Sequence, residues 1–301
     1  MRLFLAYLGR FVAALIAFSP LCIRKGLGVG FGILWFDVFR IRRKVAIENV
    51  RLSFPEKSNE EVAAIARASL INMGHTLIDF AQFPFLNSKN IDDFVEFVGF
   101  EYANEALKKN KGVLFLSMHL GNGDLGVTAC SIKGLKAHLI SKRFKSKWLD
   151  ELWFGMRAKH GTKFVSPEKS SFTILRALGQ NEIVIFVLDQ FMGPPVGVRT
   201  KFFGRETGTA MGLALVHLRT EAPLITSYTY RKPDNKLVVV FEKEVSISDL
   251  GLDPQVVDRA QIISMLTQKY TDKIEQLVRR HPEQWMWIHR RWKDFVEGPK
   301  A

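Results

Sequence analysis

The stretch VLFLSMHLGNGDLG, residues 113 to 126, decides how the rest of the chain is read. Val113 to Met118 is a short, nearly unbroken apolar run, the pattern of a strand covered on both faces, as in a parallel sheet under helices. Function is then expected at the carboxyl end of that strand. There the chain supplies His119, then Leu120, Gly121, Asn122 and Gly123, then Asp124, a His-x4-Asp spacing across a turn that glycine lets bend sharply. Asp124 reads as the cap or first-turn residue of the next helix, where its charge suits the positive end of the helix dipole.

This pair suits general-base catalysis. A neutral imidazole at His119 takes a proton from a hydroxyl near neutral pH, and a carboxylate at Asp124 fixes its tautomer and stabilises the imidazolium. On spacing alone a structural reading competes evenly, with Asp124 merely capping a helix, because so short a pattern recurs by chance.

The 301 residues are enough for a large core. Lys and Arg number 43 against 30 Asp and Glu, a formal charge of +13 that calls for an anionic partner, either nucleic acid or an anionic membrane. Two cysteines, Cys22 and Cys130, lie far apart in contrasting surroundings and argue against a disulfide framework. The seven histidines are scattered without zinc spacing, so no metal is expected.

The N-terminus decides between the two anions. Leu3 to Phe36 is largely apolar, interrupted by Arg10, Pro20 and Arg24-Lys25, and is followed by Arg40, Arg42, Arg43 and Lys44. Each apolar piece is shorter than the roughly 20 residues of a spanning helix, and no signal-peptide cleavage site is evident. The segment is read as a membrane anchor, single-pass or lying in the interface, with the basic run near anionic headgroups; a buried helical hairpin is the alternative. Next come a helix across residues 40 to 55, stopped at Pro55, and a second opened by a Ser58/Glu61 capping box and running to about Phe80.

From Phe94 onward, apolar runs at 94–98, 112–118, 136–141, 182–188, 223–230 and 236–242 alternate with amphipathic stretches. The expected fold is α/β, a central, mostly parallel sheet flanked by helices, with the N-terminal anchor segment attached. Residues 1–39 form the anchor or interfacial helices, and residues 40–301 one domain that includes a helical part at 40–90. A second strand end carries Asp189 and Gln190, where a turn role competes. Between the strands, residues 141 to 161 are dense in cations and aromatics, with Arg143 after a strand end and Arg157 on a helix. These arginines suit an oxyanion or a phosphate, and the lysines read as the solvated face of an amphipathic helix.

Five blocks in order carry a resemblance: RKVAIENVRLSFPE (43–56), the His119-x4-Asp124 turn, SKRF with Arg157, VLDQ with VRTKFFGRETGTA (187–210), and PEQWMWIHRRWK (282–293). Together they resemble the lysophospholipid acyltransferase superfamily, and more closely the bacterial lipid A late acyltransferase family. The resemblance implies an O-acyltransferase at the bacterial inner membrane with its site facing the cytoplasm. It implies transfer of a fatty acyl chain from acyl carrier protein, or coenzyme A, to a hydroxyl of a lipid A precursor. The acyl thioester is a co-substrate, and no bound cofactor or nucleic acid is expected. By position, His119 is the general base and Asp124 its partner, with Arg157 near the transferred carbonyl. Arg143, Asp189, Gln190 and Arg290, with Phe203, Gly204 and Thr209, line the site or position substrate. One departure is Asp124 itself, where the lipid A enzymes often carry Glu, which leaves another lipid acceptor (glycerolipid, glycolipid or aminolipid) as the alternative. A non-enzymatic basic membrane adaptor also accounts for the anchor and charge, but not for the co-occurring motifs.

Overall fold

A computed structural model describes residues 2–166, 170–248 and 258–293. A seven-stranded sheet has β1 (Val95–Val98) at one edge and continues through β9 (Leu237–Phe241), β8 (Leu224–Arg231), β2 (Val113–Ser117), β5 (Ile183–Val187) and β3 (Ala137–Ile140) to β4 (Lys163–Val165). Neighbours run parallel except β8 and β9. Each of the six apolar runs holds one of these strands. The unbroken hydrophobicity of β2 and β5 follows from alternation between two cores: Leu114, Leu116, Val184 and Phe186 enter one, and Val113, Phe115, Ile183 and Ile185 the other.

Three strands were not legible as apolar runs. β4 is a three-residue edge strand. β6 (Gly197–Phe202) and β7 (Arg205–Ala210) form a separate antiparallel hairpin whose polar, alternating sequence gives no apolar run. Its turn places Phe203 and Gly204 both at positive φ, 53° and 69°, the geometry that matches the twist of a tight hairpin. Phe203 thus serves the turn and an aromatic cluster with Phe54 and Trp287. Thr209 is buried against Thr200, 2.7 Å away. Both side chains are buried in these structural contacts.

At the N-terminus, α1 (Arg2–Ala17) and α2 (Leu21–Ile33) are separated at Pro20, which cannot donate to a continuous helix. Among the described residues no single helix is long and apolar enough to cross a membrane; Phe11–Ala17 and Leu21–Phe39 pass that test only together, bent by 115°. The glycines of α2 explain its packing. A Cβ on Gly32 would lie 2.3 Å from the Ile71 Cα, and one on Gly28 would lie 2.2 Å from the His75 ring of α4 (Asn59–Phe80), so only glycine lets these backbones meet. The outward face keeps Phe11, Leu15, Phe18, Ile23 and Phe31 exposed.

The capping box opens α4 as the sequence predicts, with Ser58 and Glu61 exchanging hydrogen bonds. α3 (Arg43–Ser53) and α4 bury Ala46, Val50, Val62, Ala66 and Leu70 in the same core as Leu114, Leu116 and Trp287. α5 (Ile91–Phe94), α6 (Phe100–Leu107) and α7 (Gly123–Ile132) serve the second core, and α9 (Ser170–Gly179), α10 (Gly212–Thr220) and α11 (Arg259–Arg280) serve the first.

Candidate active site

The register of β2 and β5 builds the site. Ser117 lies opposite Val187, so two residues beyond each strand end His119 and Asp189 come side by side. The backbone N–H of His119 donates to Asp189 Oδ2 at 2.8 Å, and the ring Nδ1 to Oδ1 at 2.7 Å. Trp285 Nε1 donates to Oδ2 at 2.8 Å. Asp189 is therefore the carboxylate on the imidazole, a role the spacing had assigned to Asp124. Two adjacent parallel strands of equal register outweigh proximity in sequence, because the glycine turn carries Asp124 away to the first turn of α7.

Charge follows geometry. Desolvation works against charging of the imidazole, but the Asp189 carboxylate and its hydrogen bond outweigh it and Asp124 adds to them, so the His119 pKa lies above the ordinary histidine value. Burial alone would raise Asp189; the His119 ring and the N–H donors reverse this and bring its pKa down to about 2. With Nδ1 protonated toward Asp189, Nε2 carries the lone pair, and the ring is 40% exposed. Gln190 Nε2 donates to that nitrogen at 3.3 Å, where a reacting hydroxyl would sit.

Asn122, rather than Asp124, caps α7, accepting from the Leu125 N–H at 3.0 Å. Asn122 Nδ2 donates at 2.8 Å to Asp79, which also pairs with Arg231. Gly121 sits at φ 62°, where a Cβ would lie 2.7 Å from the Thr229 carbonyl, so this turn requires glycine. Asn72 Nδ2 donates to its carbonyl at 2.8 Å.

Asp124 instead pairs with Arg157 on α8 (Lys147–Ala158). The Arg157 guanidinium is 2% exposed and lies between the rings of Trp153, Phe154 and Phe164, 4.7–5.3 Å from their centroids. Burial holds its pKa below the usual guanidinium value, opposed by Asp124, and Nη2 has no partner among the described residues. Arg143 shares the Phe154 ring but is tied to Asp150 at 2.5 Å and is largely exposed, outside contact with His119.

The C-terminal segment after α11 is an extended strap. Met286 N–H donates to the His119 carbonyl at 3.2 Å, and Gly121 N–H to the Gln284 carbonyl at 3.3 Å. Arg290 is exposed on this strap, and the arginine brought to the site is Arg291, fully buried and donating to the carbonyls of Gln190 and Gly208 at 2.8 and 2.7 Å. Desolvation, eased by Asp189, takes its pKa down to about 10. Trp285 and Asn72 support the site and were not singled out from sequence, and Arg291, marked there only within the C-terminal block, is the arginine that reaches it. No group of three or more His, Cys, Asp or Glu suited to a metal occurs among the described residues.

A family model described as bacterial lipid A biosynthesis acyltransferase matches residues 1–294. The chain belongs to that family. Among curated relatives, the lipid A biosynthesis lauroyltransferase of Escherichia coli (strain K12) is 25% identical over 99% of this chain and 94% of its own. A lipid A biosynthesis acyltransferase of Haemophilus influenzae (strain ATCC 51907 / DSM 11121 / KW20 / Rd) is 22% identical over 94% of this chain and 85% of its own. The lipid A biosynthesis palmitoleoyltransferase of E. coli (strain K12) is 23% identical over 91% and 86%.

Proposed function

We propose that the protein transfers a fatty acyl chain from a thioester of acyl carrier protein, or of coenzyme A, to a hydroxyl of a lipid A precursor. The observation that carries this reading is the imidazole of His119, held by a buried carboxylate, with its ring 40% exposed and Nε2 contacted only by the Gln190 amide. His119 Nε2 takes the hydroxyl proton as the oxygen attacks the thioester carbonyl, and Asp189 stabilises the imidazolium. The tetrahedral intermediate then collapses, the C–S bond breaks and the thiolate leaves with a proton from the imidazolium. No acyl-enzyme is required.

Donors for the oxyanion are the Arg157 guanidinium, with its unpartnered Nη2, and the backbone N–H groups of Gly123 and Asp124, for which no acceptor occurs among the described residues. The N–H groups of Gly121 and Asn122 are already committed to Gln284 and Thr229. One such donor is worth about 10²–10³ in rate in other enzymes.

The exposed apolar face of α1 and α2 supports docking at the bacterial inner membrane, in line with the net charge of +13, and the site would face the cytoplasm, where the acyl donor is available. The test is to incubate membranes containing wild type or His119→Ala with acyl carrier protein and coenzyme A thioesters plus lipid A precursor, and to weigh the product lipids. Transfer by wild type alone supports the reading. His119-dependent transfer to a different lipid keeps the mechanism and replaces the acceptor, and transfer by His119→Ala at the wild-type rate removes His119 from it.

A further inference from the structure

Outside the catalytic cluster, the connection from β3 to α8 combines two features that seldom share an ordered loop. Trp148 is 71% exposed and Phe144 41%, and Phe172 in the first turn of α9 is 77% exposed. Around the first two rings stand Lys142 and Arg143 just before Phe144 and Lys145 and Lys147 between Phe144 and Trp148, all exposed, with Glu151 as the exposed carboxylate nearest in sequence. Asp150 is buried and occupied: it accepts from the Phe144 N–H at 2.8 Å and pairs with Arg143, which pins the loop to α8. Lys142, Lys145 and Lys147 have no carboxylate partner among the described residues.

The position of this loop gives it a direction. β3 runs parallel to β5, and β5 to β2, so the residues after Ile140 emerge at the same end of the sheet as His119 and Asp189. α9 follows β4, a parallel neighbour of β3, so its first turn belongs to the same rim.

We infer that the Phe144–Trp148 loop is a membrane-contact surface in its own right, separate from α1 and α2, and that its partner is an anionic bilayer. Indole and phenyl rings set among long-stemmed cations suit the boundary between headgroups and acyl chains, where the rings are buried and the ammonium groups reach phosphate. An acidic protein partner would use the lysines but gives no reason to keep Trp148 and Phe144 exposed beside them. The surface rests on exposure and charge and does not depend on acyl transfer. It holds the carboxyl rim against the bilayer, so a lipid hydroxyl can reach His119 while its acyl chains stay in the membrane.

The test uses the full chain in vesicles of equal parts phosphatidylglycerol and phosphatidylcholine with brominated acyl chains. Cys22→Ser removes the exposed thiol, and a fluorophore is placed through Trp148→Cys in one variant and Phe18→Cys in another. The expected result is quenching by about half or more at both positions, with the signal at 148 alone lost when Lys142, Lys145 and Lys147 are changed to Glu. Each lysine is worth about fivefold in partitioning to an anionic surface, and this effect weakens as salt is raised. Quenching at 18 without quenching at 148 overturns the inference and leaves the N-terminal docking intact, whereas quenching at neither position overturns both. A response at 148 to acyl carrier protein in lipid-free detergent, with none to brominated lipid, replaces the bilayer with a protein partner.

Discussion

Asp189→Asn separates the roles that geometry gives to the two carboxylates. Asp189 Oδ2 receives two donors, the His119 N–H and Trp285 Nε1, so an asparagine oxygen will settle there and keep both. Its amide nitrogen then faces His119 Nδ1 across the present 2.7 Å contact, and two donors cannot share it. The proton must move to Nε2, which removes the lone pair that accepts from substrate. Side-chain volume and burial are nearly unchanged, so the chain should fold while kcat falls by about 10²–10⁴, equivalent to about 3–5 kcal/mol of transition-state stabilisation.

The pH profile carries a second signature. The base must be neutral, so wild-type activity rises with pH through a His119 pKa that lies above 6.5, and loss of the carboxylate should shift the residual limb to lower pH. Stability moves in the opposite sense. A His pKa raised by folding contributes stability that is full below 6.5 and lost as pH rises through the folded value, and Asp189→Asn should remove that contribution. Single-turnover kinetics with a radiolabelled acyl thioester across pH, beside thermal melts, measures both. A variant within threefold of wild type at neutral pH would refute the assignment of Asp189 as the group that sets the tautomer.

Asp124→Ala leaves the Arg157 guanidinium buried without a counter-charge, and should cost about 3 kcal/mol in denaturant melts; adding Arg157→Met should recover much of that stability but none of the activity. Gly32→Ala forces a Cβ to within 2.3 Å of the Ile71 backbone, so the clash, about 1–3 kcal/mol, should outweigh the helix-propensity gain of about 1 kcal/mol; a raised melting temperature would contradict this packing. Burial pushes the Cys130 thiol up to about 12, so a maleimide should label the native chain once, at Cys22, and twice after denaturation, as counted by intact mass.

Much of this was legible in the sequence because it follows local rules. The apolar runs marked the buried strands, and Ser58 with Glu61 marked the start of α4. His119 and Asp189 each stood out as a polar group at a strand end, but strand order is not written in either segment, so their partnership stayed hidden until β2 and β5 were seen to be neighbours in register. The hairpin of β6 and β7 escaped because its core-facing side carries Thr200, Thr207 and Thr209, whose hydroxyls are satisfied by one another, by the strap or by α11. Arg290 and Arg291 are adjacent and chemically identical, so only the conformation of the strap decides which one is buried.

That strap has a consequence for the order in which the protein comes to life. His119 is held by Met286, Asp189 is held by Trp285, and Asn72 spans the gap between the Gly121 and Gln284 carbonyls. α2 leaves the ribosome roughly 10–50 s before residue 285 at ordinary elongation speeds, ample time for the apolar hairpin to settle on lipid. For the last part of that interval, once residue 189 is made, the nascent chain holds His119 and Asp189 but lacks the Trp285 and Met286 contacts that brace them. Competence therefore waits on the strap, and a chain that stopped before residue 282 would be delivered and nearly folded, yet silent.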